Sequence, residues 1–199
     1  MKKTLVATIL GLVTSLAAVS SSYGQGQVWM DTYNANSAVG ALTTYGAGSG
    51  GTVGAGVDST FHAVLYYSLG NSLTDVADAS DVGAGLTLVA GSTAQYNVGP
   101  TAGSPGYFVG SIVTIPDYVS GPITFEIVAF NGADYASSTV RGKSGTFVLP
   151  SIATGTTQPG FFDGLPNFQV FSAAPVPEPS TFALAGLGLA GLLIFRRRK

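Results

Sequence analysis

The chain contains a single histidine, His62, and no cysteine. A Ser-His-Asp triad can be built with one histidine, but no serine stands in the G-x-S-x-G pattern that presents such a nucleophile. A metal site with one imidazole and no thiolates would need carboxylates for most of its ligands. His62 lies inside the apolar run FHAVLYY. The sequence therefore predicts a structural or partly exposed strand histidine.

Two further patterns that are typical of enzymes are incomplete in this sequence. Glycosidases use two carboxylates across a cleft, and Glu126 is the only glutamate between the two ends of the chain. Gly46, Gly48 and Gly51 match G-x-G-x-x-G by letter, but the glycine and β-branched residues that follow predict no helix to complete a nucleotide site. The sequence predicts a protein with no catalytic residues, no bound cofactor and no enzymatic activity.

Asp75, Asp78 and Asp81 recur every three residues in a glycine-containing stretch. Calcium is a hard cation that prefers oxygen ligands, so three clustered carboxylates are a candidate for a calcium site. Their spacing differs from the alternating D-x-D-x-D-G calcium loop. A solvated acidic loop is the alternative interpretation, and it is the one that the spacing favours.

The chain is rich in tyrosine and has one tryptophan, Trp29. Exposed aromatic rings on a sheet stack against the apolar faces of sugars, with hydrogen bonds formed at the rim. Trp29 and Tyr66 are the candidates for such a surface. The alternative is that most of these rings are core or cross-strand partners, as is common in β proteins.

Charge is distributed unevenly along the chain. Residues 25–175 carry two cations, Arg141 and Lys143, against nine carboxylates, which gives a net charge of −7. An acidic surface repels phosphate backbones, so no nucleic-acid binding is expected. We expect the two cations to pair with an aspartate or with Glu126 and to pin a turn over residues 140–146.

The body has the pattern of an all-β protein. Short aromatic and β-branched runs alternate with Gly, Pro, Asn and Asp turns, which is typical of an antiparallel β-sandwich or jelly roll. Residues 40–56 are glycine-rich and are interpreted as either a long surface loop or a broken edge strand. The predicted strands cover residues 28–33, 61–67, 86–90, 107–115, 123–130, 146–149 and 168–171.

The N-terminus has the pattern of a secretory signal peptide. Lys2 and Lys3 precede an apolar stretch that runs to residue 19, and Ser22-Tyr23-Gly24 then fits the small-x-small cleavage rule. This predicts cleavage after residue 24 and export through the general secretion machinery. The alternative is an N-terminal membrane helix, but no second cationic cluster follows to stop transfer.

The C-terminus predicts a short membrane helix. Residues 182–195 are apolar, and as a helix they would span only about 21 Å of a hydrocarbon core of about 30 Å. Arg196, Arg197, Arg198 and Lys199 follow directly. Positive flanks stay cytoplasmic, so the body is predicted to lie outside the inner membrane. This orientation agrees with the signal peptide.

A proline-glutamate-proline step precedes that helix, and the three parts together resemble a known sorting signal. Pro177, Glu178 and Pro179, the Ala/Gly/Leu helix and the arginine cluster are similar to the PEP-CTERM signal of Gram-negative bacteria. The resemblance implies that Pro177-Glu178-Pro179 is recognised by an exosortase, a membrane transpeptidase-like enzyme, and that the tail is cleaved near this motif. The body also resembles the small β-sandwiches that often precede such tails.

This resemblance divides the chain into a signal peptide (1–24), a β-sandwich body (25–172) and a sorting signal (173–199). It implies a precursor held transiently in the inner membrane and then delivered to the cell surface or extracellular matrix, in association with exopolysaccharide. The resulting hypothesis is a non-enzymatic surface or matrix protein. The alternative is a carbohydrate-binding module that uses exposed aromatic residues.

Overall fold

In the computed structural model the described residues are 25–71 and 85–173. The predicted signal peptide, the aspartates at positions 75, 78 and 81, and the C-terminal segment from residue 174 onward lie outside these ranges. Within the described ranges, no helix is both long enough and apolar enough to cross a membrane. The described part of the chain is nearly all β-structure, as the sequence predicts.

Within residues 25–71 and 85–173, eleven strands form a small sheet and a large one. The small sheet has the order β10-β1-β6 and is antiparallel throughout. The large sheet has the order β2-β11-β8-β7-β3-β4, with β5 also paired to β3 and β9 to β7. The strand bounds are β1 Gly26–Asp31, β2 Thr43–Tyr45, β3 His62–Leu69, β4 Thr87–Leu88, β5 Ala94–Gln95, β6 Val109–Ile115, β7 Ile123–Phe130, β8 Val140–Lys143, β9 Phe147–Leu149, β10 Ala153–Thr154 and β11 Phe168–Ser172.

The centre of the large sheet is the antiparallel pair of β3 and β7, matched over eight residues from His62↔Phe130 to Leu69↔Ile123. Every residue of β7 is buried. Side chains alternate across a strand, so Ile123, Phe125 and Ile127 face one side while Glu126 and Val128 face the other. Other elements must therefore pack against both faces of β7, and a different element packs against each face.

The inner cover is the small sheet. Val28 and Met30 of β1 and Val113 and Ile115 of β6 belong to the same buried cluster as the inward-facing residues of β3 and β7. Each of these four side chains is at most 4 % exposed. Two sheets that share one apolar core are consistent with the predicted β-sandwich.

The outer cover is the loop between β7 and β8, residues 131–139. Its Tyr135 packs with Val128 and Phe130 of β7 in a second, smaller buried cluster, against which Val64 and Tyr66 of β3 also pack. We call this side of the large sheet the outer face. The 131–139 loop also forms one wall of a pocket on this face.

The strand predictions over residues 61–67, 107–115, 123–130 and 168–171 are confirmed with small shifts in their ends. The predicted turn at 140–146 is wrong in its first part, because Val140–Lys143 forms β8, which lies between β7 and β11. Two of its four residues are charged, which is untypical of a core strand, but Arg141 and Lys143 lie on the outer face of the sheet.

Two other features differ from a purely antiparallel sandwich. In the glycine-rich stretch the edge-strand alternative is correct, because Thr43–Tyr45 forms β2 at one edge of the large sheet. This strand pairs with β11 in parallel, with Phe168 opposite Thr43.

The last described residue, Ala173, donates its N–H to the carbonyl of Thr139 at 2.8 Å, so the chain leaves the body beside the 131–139 loop.

A turn before β3 gives the fold one small dependence on pH. The hydroxyl and then the backbone N–H of Thr60 donate to Asp58 Oδ1, at 2.6 and 2.8 Å, and together lower the pKa of this carboxyl. A carboxyl whose pKa falls on folding stabilises the protein above its unfolded-state value, about 3.9, and that contribution is lost as pH falls through the folded-state value.

Replacing Thr60 with valine should therefore lower the thermal midpoint by about 1–2 °C near neutral pH, since exposed interactions of this kind are weak. The deficit should vanish once Asp58 is protonated. Thermal melts from pH 7 to pH 2.5 measure this, with Thr157→Val as an exposed control. A deficit that stays the same at every pH would contradict the assignment.

Candidate functional site

The two aromatic residues predicted to stack on sugars lie on different sheets. Trp29 is on β1 of the small sheet, whereas Tyr66 is on β3 of the large one. Trp29 is partly buried, stacks on Phe161 with ring centroids 5.4 Å apart, and donates its indole N–H to the carbonyl of Gly110 at 3.1 Å. The structure therefore assigns Trp29 a clear packing role and does not place it with Tyr66.

Tyr66 lines a cavity of about 380 Å³ on the outer face of the large sheet. This volume lies near the lower end of the range for small-ligand pockets, roughly 300–1,000 Å³. The pocket has a floor, a wall formed by the 131–139 loop and an opposite wall near β4 and β5. The lining residues are His62, Val64, Tyr66, Leu88, Thr93, Phe130, Gly132, Ala133, Asp134 and Tyr135.

The alternation of β3 builds the floor. His62, Val64 and Tyr66 are two residues apart along one strand, so all three point to the outer face. The antiparallel register puts His62 opposite Phe130, and their ring centroids are 6.2 Å apart. Phe130 in turn meets Tyr135 edge to face, at 6.4 Å. The predicted strand histidine is thus a half-buried part of an aromatic floor.

Internal hydrogen bonds fix the loop that forms one wall. The N–H of Gly132 donates to Ser138 Oγ at 2.8 Å, and this hydroxyl donates to the carbonyl of Asp134 at 2.6 Å. The N–H of Val140 donates to Asn131 Oδ1 at 3.1 Å. These contacts close the loop at its base and set its path, so the wall does not depend on a ligand for its shape.

Arg141 holds the same loop from the neighbouring strand. Where the sequence predicts a carboxylate partner, the structure gives this guanidinium group the backbone carbonyls of Tyr135, at 2.8 Å, and Ala136. Its Cζ also lies 5.3 Å from the centre of the Tyr135 ring, within cation–π range. Arg141 is only 8 % exposed, so this cation acts as a support under the wall and is not presented to solvent.

The polar groups at the pocket have a negative character. Asp134 accepts hydrogen bonds at Oδ1 from the N–H and the hydroxyl of Ser137, and these lower the pKa of its carboxyl. Burial raises the pKa of the Tyr66 hydroxyl, and the nearby charges of Glu126 and Asp134 raise it further. At neutral pH the pocket therefore presents a carboxylate beside a protonated phenol.

This arrangement is suited to holding a small ligand. It offers aromatic and aliphatic surface for contact, with acceptors and donors at its rim. Within residues 25–71 and 85–173, no group of three or more His, Asp or Glu side chains is placed to hold a metal ion. The calcium candidates at positions 75, 78 and 81 lie outside the described residues, so that hypothesis stays a prediction.

Sequence reasoning identified Tyr66 but missed the other half of the pocket. Asn131-Gly132 has the letters of a simple turn after β7, whereas it opens a nine-residue loop, 131–139, that folds back over the sheet. The local signal was the Asp134-x-x-Ser137 spacing, which is typical of a side chain that caps backbone N–H groups. Nothing in the sequence indicates that this capped turn faces β3.

Comparison with known proteins gives one finding, and it concerns the C-terminus. No curated protein and no solved structure matches the chain. Residues 175–199 match the family described as the PEP-CTERM protein-sorting motif. This motif implies export, a membrane-anchored precursor and processing by an exosortase-type enzyme. The chain is thus an exported β-rich protein that ends in a PEP-CTERM protein-sorting motif.

Proposed function

We propose that the mature protein is a non-enzymatic component of the cell surface or extracellular matrix, associated with exopolysaccharide. The observation that carries the proposal is the combination of the sorting motif at 175–199 with a β-rich body that has an aromatic-lined pocket. The tail provides delivery, and the pocket provides a means of contact with a matrix component. A sheet braced on both faces is a suitable scaffold for a protein outside the cell.

Export in this proposal uses both ends of the chain. The signal peptide, residues 1–24, directs the body across the inner membrane, and the cations at 196–199 hold the tail with its end in the cytoplasm. The exosortase then acts near Pro177-Glu178-Pro179 and releases the body. The apolar segment serves as a membrane anchor only in the precursor.

Replacing Pro177, Glu178 and Pro179 together with alanine should leave the precursor in the inner membrane, because the processing enzyme loses its recognition motif. We expect at least a tenfold fall in the extracellular fraction, measured by fractionation and immunoblotting. Ser172→Ala, at the exposed end of β11 just before the tail, is the control and should be released normally.

Mass spectrometry of the extracellular form tests both ends in one measurement. The proposal requires the loss of residues 1–24 and a C-terminus near the Pro-Glu-Pro step. An extracellular protein that still ends at Lys199 would contradict it, and so would normal release of the triple-alanine variant.

A second candidate function is a dedicated carbohydrate-binding module. The location of Tyr66 favours it, because this ring is half-buried and lines a concave pocket instead of lying flat among core residues. Trp29 contributes less, since its ring is engaged by Phe161 and its indole N–H by Gly110. Retention on polysaccharide that falls with Tyr66→Ala but not with Trp29→Phe would favour this candidate.

A further inference from the structure

The outer-face pocket can be assigned a more specific ligand, in an argument that rests on the association with polysaccharide proposed above. We propose that this pocket is a saccharide-binding site that accepts an uncharged pyranose unit, with Tyr66 as the stacking ring and Asp134 as the hydroxyl acceptor. Sugars that carry a carboxylate are rejected. Three independent features of the pocket lead to this assignment.

The first feature is the availability of aromatic surface. Of the rings in the pocket, Phe130 is 4 % and Tyr135 is 6 % exposed, so these two mainly support the floor. His62 and Tyr66 are half-buried and present part of their rings to the cavity. A pyranose has an apolar face of C–H groups, and an aromatic ring with its polar end at the rim complements such a face.

The second feature is a hydrogen-bonding edge at the mouth. Asp134 is exposed and lines the pocket, and both bonds from Ser137 are made to its Oδ1 atom, so Oδ2 takes part in neither. The Tyr66 phenol and the hydroxyl of Thr93, also at the pocket, add donors. A sugar ring carries adjacent hydroxyl groups that both donate and accept, which this mixed edge can satisfy.

The third feature is the sign of the local charge. Asp134 lies at the rim, and Glu126 lies directly opposite Tyr66 on the neighbouring strand. Arg141 donates to the carbonyl of Tyr135 in the loop. The register places Lys143 opposite Val128, which is two residues along β7 from Glu126 and on the same face. The charge nearest the ligand position is therefore that of Asp134, and an acidic sugar would be repelled there.

Saturation-transfer NMR with the full-length chain in a zwitterionic, sugar-free detergent tests the assignment. The probes are the methyl β-glycosides of glucose, galactose and mannose, together with that of glucuronic acid. We expect one or more of the neutral glycosides to bind in competition with one another, and the glucuronide to bind about tenfold more weakly.

Two variants locate the binding. Tyr66→Ala should weaken it about tenfold, the upper end of what one aromatic contact contributes. Asp134→Asn, which keeps the Oδ1 acceptor of the loop, should weaken it about fivefold and reduce discrimination against the glucuronide. The matched controls are Tyr33→Ala, whose ring is 45 % exposed elsewhere, and Asp163→Asn, also exposed; both should bind normally. Circular dichroism confirms that each variant is folded.

The assignment is overturned if no glycoside of the panel binds, if the glucuronide binds as well as the neutral sugars, or if both variants bind like the wild type. Affinity electrophoresis in a gel that contains the bacterium's own exopolysaccharide separates this from the broader proposal. If the wild type and both variants are all retained, the protein associates with the exopolysaccharide but the outer-face pocket is not the binding site. If the wild type is not retained, the association with exopolysaccharide is refuted. The NMR result alone would then show whether the pocket binds a neutral pyranose.

Discussion

Replacement of Gly142 with alanine is expected to cost the body about 3 kcal/mol of its free energy of unfolding, the upper end of the usual penalty for overpacking. Gly142 is buried in the middle of β8, between β7 and β11. A Cβ atom there would overlap the carbonyl oxygen of Gln169 and would lie 2.9 Å from the Cα of Val170. Both are backbone atoms of β11, so the clash is relieved only by moving a strand, and overpacking of this kind is costly.

The geometry around Gly142 explains why this position is so restricted. β11 pairs with β8 through Phe171 and Ser172 but with β2 through Phe168 to Val170. The regular pairing with β8 therefore stops at Phe171, and the backbone of Gln169 and Val170 passes directly over the side of Gly142 on which a Cβ would lie. A glycine permits that approach because it has no side chain.

Urea denaturation of the full-length chain, followed by fluorescence of the single tryptophan, measures the effect. Trp29 stacks on Phe161, so its emission reports on the folded packing. The control is Gly160→Ala, at a glycine with nothing within 4 Å of an added Cβ. The control should change stability by less than about 0.5 kcal/mol. Equal effects at the two positions would show that the strand crossing is not tight.

Phe125→Ala is the second substitution with a large expected effect, a loss of about 3–5 kcal/mol. Phe125 is completely buried on the inner side of β7. Its ring centroid lies 6.0 Å from that of Phe147 and 5.8 Å from that of Phe162, and the last two are 5.6 Å apart. Removing one ring from this group of three leaves a cavity and ends two aromatic contacts.

A loss of this size approaches the whole net stability of many domains, about 5–15 kcal/mol. The same urea titration measures it. Phe171→Ala, at a ring that is 39 % exposed on β11, is the control and should lose about 1 kcal/mol. If Phe125→Ala were no more harmful than Phe171→Ala, the three rings would not form the core contact described here.

The two long central strands were predictable because their alternation is local. Residues 123–130 carry apolar side chains on both faces of the strand, and residues 62–69 carry them mainly on the inner face. Such patterns within a single short segment predict a strand without any knowledge of its neighbours. The sorting tail was predictable for a similar reason, since its three parts follow one another within residues 175–199.

The strand β8 and the pocket were not predictable, because their signals are not local. Val140–Lys143 is a strand only because β7 and β11 lie on either side of it, and its residues alone indicate a charged turn. The pocket unites His62 with Asp134, which are far apart in sequence, through the register of β3 against β7. That register depends on how the strands pair in the folded sheet, and it cannot be predicted from local patterns in one sequence.

The hydrogen bond between Ala173 and Thr139 has a consequence for access to the pocket. It fixes the exit of the tail beside the loop that walls the pocket, and only residues 174–181 separate that exit from the predicted membrane segment. Eight extended residues reach at most about 29 Å. In the precursor this end of the body is therefore held close to the bilayer surface, where a long polymer has little room to approach. Under the proposed saccharide assignment, cleavage of the tail would also move the mouth of the pocket away from the bilayer surface, so that binding of a polymer would begin only after processing.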